Sequence, residues 1–328
     1  MQSVPESDVN HFIEESLDDL LREAMTAILE RGEHLGASRG SNRELRGVTL
    51  ELTQPRARLS RSETRGRVFS PLAELLWYLS GRNDTAFIAH YISRYAQDDE
   101  GGVIFGGYGP RLRGPGPADQ LGNVIALLSN RPTTRRAVIQ LFSGSDLIED
   151  HKDVPCTCTL QFLNREGGLE LIANMRSNDA YTGLPHDVFC FTMLQEIVAR
   201  SIGVEVGRYI HVAGSLHLYD TDVESAHRFL GEGWFSTSAM PPMPPGSPME
   251  AVETLLGVER SIRERRVDPL DVELPLDPYW SDLTNLLVVL ALDQAERWDD
   301  LSMACGRMSE SVYNVHIEDR LERRRDPQ

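Results

Sequence analysis

Lysine is almost missing from this chain of 328 residues: of its 33 basic side chains (Lys and Arg), all but Lys152 are arginine. That bias points to a GC-rich genome rather than to a mechanism. Positive charge is short overall, with a formal net charge of -17. Such a balance argues against broad nonspecific binding to nucleic acid or to anionic membranes. It leaves room for a small anionic substrate wherever arginines cluster in one pocket. Cysteine is scarce too. Cys156, Cys158, Cys190 and Cys305 are too few and too scattered for a disulfide framework, and no His/Cys spacing completes a zinc pattern. No metal is expected, and a reducing cytoplasmic compartment is. The acidic start "MQSVPESDVNHFIEESLDDLL" lacks the basic and apolar regions of a signal peptide. No apolar run approaches the roughly 20 residues that span a bilayer, so a soluble protein is expected.

What is present reads as alternating helices and strands. Residues 10 to 32 carry apolar side chains at helical spacing, among them Phe12, Leu17, Leu21 and Ile28. "GVTLELT" (47–53) reads as a strand, and "SPLAELLWYLSG" (70–81) as a helix opened by Ser-Pro and stopped at Gly81. Further helices are predicted over 84–96 and near 118–129. "RRAVIQLF", "TCTLQFL" and "GLELIANMR" read as strands, followed by a long apolar helix over 186–202 and a strand in "RYIHVAGSLHLY". "SAMPPMPPGSP" (238–248) is a Pro-rich loop, with helices after it and a charged tail in "DRLERRRDPQ". No repeat and no clear boundary divides the chain. The expectation is one α/β (α+β) domain over 1–328, built on a large mixed sheet.

Cys156, in "DVPCTCTLQF", stands where a loop enters a strand. A lone cysteine in an apolar strand is commonly a small buried hydrophobe. At a loop junction it can also face a pocket and act as a nucleophile, if a cation favours its thiolate. Arg176, at the end of "GLELIANMR", is a candidate for that cation.

Several spaced motifs decide between these readings. Pro155-Cys156 with Gln161-Phe162, then "RSNDAYTGLPHD" (176–187), then "GSLHLYD" (214–220) resembles the thymidylate synthase family. "ELLWYLSG", "GGYGPRLR" and the Arg135-Arg136 pair match upstream, so the resemblance covers roughly residues 15 to 225 in the family's order. It implies a thymidylate synthase-like fold with a sheet face used for dimerisation, and 5,10-methylenetetrahydrofolate as co-substrate. Cys156 would attack C6 of a pyrimidine nucleotide. Arg176 and Ser177 would contact its phosphate, and Arg176 would favour the thiolate. Asp179 would hydrogen-bond near the base through its backbone, and His217 and Tyr219 would hold the sugar. Glu74 would organise the water that moves protons, and Tyr108 would assist proton removal at C5. Arg135 and Arg136 would cross a two-fold interface to the partner's phosphate in a homodimer. Arg39 is the candidate for a remaining phosphate arginine, with Arg43 as competitor, because "ASRGSNRELRG" departs from the family's spacing.

The chain departs from the family's synthases at Asp187, where they carry Asn. A carboxamide matches the N3–H donor and O4 acceptor of uracil. A carboxyl accepts from the N4 amino group of cytosine and, when protonated, donates to N3. By resemblance, an Asp here marks the family's cytidylate hydroxymethylases. Thr157 replaces a usual His, "YISRYAQ" lacks the tryptophan of the segment that walls the folate, and the C-terminal tail is charged rather than apolar. A wetter pocket suits capture by water instead of hydride. The expected product is 5-hydroxymethyl-CMP with release of tetrahydrofolate. The alternatives left open are a dCMP hydroxymethylase for modified DNA precursors, a dUMP thymidylate synthase, and a non-catalytic nucleotide- or RNA-binding protein.

Overall fold

The structure is a computed structural model that describes residues 10–37, 40–60, 62, 68–234, 237–275 and 277–325. Eight strands form one mixed sheet: β1 (His11–Glu14), β2 (Glu33–Ala37), β3 (Gly40–Leu52), β4 (Val138–Gln140), β5 (Thr157–Arg165), β6 (Gly168–Met175), β7 (Asn178–Asp179) and β8 (Val206–Tyr219). Their order is β1-β3-β8-β6-β5-β4, with β2 paired to β3 and β7 to β8. β8 runs antiparallel to β3 and parallel to β6 and β7, so three segments meet along its length.

Alternation along the strands gives the sheet two unlike faces. Leu160, Phe162, Leu171, Ala173, Tyr209 and Ala213 are fully buried. Between them, Gln161, Leu163, Ile172, Asn174, Ile210 and Val212 stay partly exposed. The buried face is covered by the helices Leu17–Arg31 and Gly183–Ser201. The helix Phe69–Leu79 packs on the second of these. It is buried all round except at Ser70, as its apolar sequence requires. An outer layer of helices, Met249–Arg263, Pro278–Gln294 and Trp298–Cys305, reaches Phe69–Leu79 through its middle member. Among the described residues, no helix is long and apolar enough to cross a membrane, and no cluster of three His, Cys, Asp or Glu could hold a metal.

Three expectations need correcting. Residues 11–14 are a strand parallel to β3, and the first helix begins only after Ser16, whose hydroxyl accepts the Asp19 N–H. A capping serine with acids in the first turn is a helix start, and it overrides the apolar periodicity upstream. The helix expected over 84–96 stops at Tyr91, and Ser93–Asp98 continues as a 3-10 turn. "RRAVIQLF" contributes only the three residues of β4 at the sheet edge. The helix Asn314–Arg325 carries most of the charged tail.

The Pro-rich stretch is pinned to the core. Met240 N–H donates to Arg56 O at 2.8 Å, and Met243 N–H donates to Glu196 Oε1 at 3.0 Å. Glu196 is itself fully buried. It also accepts from Arg56 Nε at 2.8 Å and from the buried Arg58. These bonds hold its carboxyl below the usual range despite burial. Removing one partner from a buried pair leaves an uncompensated charge, which costs about 3–5 kcal/mol. Glu196→Ala is therefore expected to lower unfolding free energy by about that amount in urea titrations. A change within about 0.5 kcal/mol, the size of an ordinary surface substitution, would show that the network carries little.

Candidate active site

A cavity of about 1110 Å³ opens at the end of the sheet where β8 finishes. It exceeds the usual range of about 300–1,000 Å³ for one small ligand. Cys156 lines it, partly buried, one residue before β5 begins. Arg176 fastens the loop that presents the thiol. Its backbone N–H donates to Cys156 O at 2.9 Å, Nε to Pro155 O at 3.0 Å, and Nη2 to Val154 O at 2.9 Å. The guanidinium so fixed keeps further N–H groups for an anion.

Glu74 enters the cavity from the helix Phe69–Leu79 and is 5% exposed. Tyr78, one turn on, donates to Glu74 Oε1 at 2.9 Å, and the Tyr95 hydroxyl donates to the same oxygen. Burial first and the Glu74 charge second push both phenols well above their ordinary range, so both are protonated donors. With Oε1 doubly occupied, Oε2 is the oxygen left for solvent or substrate. Tyr108 faces the same space and is held by Thr157: its hydroxyl accepts the Thr157 N–H at 3.2 Å and lies 2.9 Å from Thr157 Oγ1. Burial, then the charges of Asp187 and Cys156, raise its phenol well above the usual value.

Asp187 lies in the first turns of the helix Gly183–Ser201 and retains partial exposure where it lines the cavity. Asn178 Nδ2 donates to its Oδ2 at 2.7 Å. Desolvation, followed by the Glu74 carboxylate, pushes the Asp187 carboxyl well above the usual range. The Asn178 bond and the Arg94 charge pull against that shift without cancelling it. Asp179 Oδ1 accepts the Tyr181 N–H at 2.9 Å. The pairing of Asp179 with His217 in register brings the two motifs together. His217 is buried and edge-on to Tyr219 at 5.0 Å, and its Nδ1 lies 3.4 Å from Ser177 Oγ. Burial holds its imidazole below the ordinary value and so neutral at physiological pH.

The structure thus brings Cys156, Glu74, Tyr108, Arg176, Ser177, Asp179, Asp187, His217 and Tyr219 to one cavity. Arg135 and Arg136 are exposed on the approach to β4 and do not line it. Arg39 lies outside the described residues. Arg43 turns to the opposite face of β3 from Asn42 and Glu44, which do line the cavity, and donates to Leu29 O at 3.3 Å. His186 ties two helices together: its Nδ1 donates to Thr182 O and its Nε2 lies by Ser70 Oγ, each at 2.9 Å.

Sequence reading passed over Tyr78, Tyr95, Thr157 in its holding role, and Asn178. Tyr78 carries a signal, since it stands four residues after Glu74 on one helix. Asn178 carries none, because its partner Asp187 stands nine positions on, in the next helix. Lys152 and Arg94 also line the cavity.

A family model described as thymidylate synthase matches residues 22–241. The chain is 34% identical over 221 residues to the deoxyuridylate hydroxymethyltransferase of Bacillus phage SP01, covering 62% of this chain and 57% of that protein. It is 35% identical over 178 residues to the deoxyuridylate hydroxymethyltransferase of Pseudomonas phage M6, covering 53% and 51%. The chain therefore spans little more than half the length of these relatives.

A raised Asp187 has a measurable signature. Its folded-state value lies above its unfolded value near 3.8, so the folded state binds the extra proton and stability falls as pH rises between the two. Asp187→Asn lacks that loss. It is expected to melt above the wild type at neutral pH and close to it near pH 4. Parallel Tm-against-pH curves for the two proteins would contradict the assignment.

Proposed function

Because the chain belongs to the thymidylate synthase family, we propose that it transfers a one-carbon unit from 5,10-methylenetetrahydrofolate to C5 of cytidine monophosphate. Water then takes the place that hydride holds in a synthase, giving 5-hydroxymethyl-CMP. The observation that carries the choice of base is Asp187, a carboxyl at the cavity wall whose burial favours its neutral form. A neutral carboxyl donates to N3 of cytosine through its O–H and accepts from N4 through its other oxygen.

The remaining residues divide the chemistry. The Cys156 thiolate adds to C6 and makes C5 nucleophilic, which splits a hard substitution into easier steps. When bound, the folate supplies the carbon at the oxidation level of formaldehyde. Tyr108, pinned by Thr157, stands ready at the C5 proton. Glu74 keeps Oε2 for a water molecule because Tyr78 and Tyr95 occupy Oε1. That water adds to the exocyclic carbon, and Cys156 leaves. Arg176 and Ser177 hold the phosphate, and His217 and Tyr219 hold the sugar. The partly exposed sheet face with Ile172, Ile210 and Val212 serves as the dimer interface, and Arg135 and Arg136 reach the partner's phosphate.

A second reading, uridylate as substrate, is favoured by the names of the two phage relatives. It is chemically open as well. A neutral carboxyl that accepts from N3–H and donates to O4 would match uracil.

Incubation with 5,10-methylenetetrahydrofolate and each of CMP, dCMP, dUMP and UMP separates the readings by product mass. The expected result is gain of CH₂O on CMP with tetrahydrofolate released. Methyl gain on dUMP with dihydrofolate would overturn the proposal. In the same assay Cys156→Ala is expected to lose turnover by at least about 10³-fold while still binding nucleotide.

A further inference from the structure

Asp187 has two oxygens, and its surroundings distinguish them. Oδ2 receives an N–H from Asn178 at 2.7 Å, and the Asn178 side chain is 4% exposed. Asn178 is fixed by the β7–β8 pairing opposite Leu216, so the donor comes from a strand and the acceptor from a helix. Gly183 leaves the space for them to meet. A Cβ there would come to 3.2 Å from Asn178 Nδ2 and 3.8 Å from Asp187 Oδ2. The contact joins the "RSND" and "GLPHD" halves of the motif through a residue to which neither half assigns a role.

We infer that Asn178 holds the Asp187 carboxyl with Oδ2 as its acceptor and its proton on Oδ1, and so sets the choice between cytosine and uracil. This rests on the reading of Asp187 as the group that meets the base. A neutral carboxyl matches either base, and the two matches differ only in which oxygen bears the hydrogen. For cytosine, Oδ1–H donates to N3 and the second lone pair of Oδ2 accepts from N4–H. For uracil the hydrogen must move to Oδ2. A hydroxyl oxygen is a poorer acceptor than a carbonyl oxygen, so the Asn178 N–H opposes that move. Asn178 is a positioning residue: it acts on the base through Asp187.

The ionisable neighbours of Asp187 are Glu74 on the helix Phe69–Leu79, Asp179 on β7, Arg94 in the turn Ser93–Asp98, Cys190 on its own helix, Tyr108 and Tyr209. None is altered when Asn178 is replaced. Losing its N–H removes a group that favours the charged carboxyl, so the neutral form then persists to higher pH.

The test measures kcat/KM for CMP and for dUMP, with 5,10-methylenetetrahydrofolate, from about pH 6 to 9, on the full chain. Asn178→Ala is expected to lower the CMP-to-dUMP ratio about tenfold, the order of one lost hydrogen bond, and to move the alkaline limb of the CMP profile upward. In an Asp187→Asn background the same substitution is expected to leave the ratio unmoved. Equal losses on both nucleotides with a stationary alkaline limb would reduce Asn178 to packing and overturn the inference. Asn178→Leu keeps the volume without the donor, so it carries the test if the alanine variant does not fold. A folded leucine variant with the wild-type ratio also overturns it. Asp187→Asn alone separates the two levels. If it leaves the ratio unchanged, the base reading itself fails. If it shifts the ratio toward dUMP while the Asn178 variants do not, the base reading stands and the role given to Asn178 falls.

Discussion

Residues 175–179 run parallel to 213–217, and the site depends on that pairing. Met175 meets Ala213 and Asn178 meets Leu216, in step, with a gap between them where Arg176 and Ser177 leave the ladder. Gly214 permits the gap, since a Cβ there would lie 3.0 Å from Arg176 O. Freed from the sheet, Arg176 turns to the loop before Cys156, while Asn178 and Asp179 return to face the helix Gly183–Ser201 and His217. One local interruption in a ladder thus sets the thiol, the base-facing helix and the sugar-facing strand around a common space.

Inside that space, the carboxyl groups are held by neutral donors. Glu74 is held by two phenols and Asp187 by a carboxamide, whereas Arg94, Arg176 and Lys152 keep more exposure at the rim. Direct pairing with a cation would fix each carboxyl in its ionised form. Neutral donors orient an oxygen without committing its proton, and a reaction that moves protons to and from a pyrimidine needs that freedom. The chain as a whole follows the opposite rule around Glu196, where two arginines and a backbone N–H settle a buried carboxylate for good.

Much of this was legible in the residues. Strong periodicity located β5, β6, β8 and the long helix before any coordinates, and the spaced motifs selected nine residues that share one cavity. The misreadings have local causes. A capping serine divided 10–32 into strand and helix, and a short edge strand lacks the length to announce itself. The holding interactions were harder to see. Tyr95 reaches Glu74 across 21 positions, and Thr157 reaches Tyr108 across 49. Asn178 also lines the cavity, and its partner Asp187 stands nine positions on in another element. Contacts made between elements leave no period in the sequence, so they appear only once the chain is folded.

Lys152 carries the sole ε-amino group of the protein, and it stands at the cavity rim with Nζ donating to Asp99 O. Most proteins of this size scatter many such amines over their surface, and acylating reagents or lysine-directed fluorophores then report an average. Here one isotopically labelled lysine, or one dye on its side chain, becomes a reporter confined to the mouth of the site. Occupancy of the cavity can be followed by spectroscopy without engineering a new residue into it.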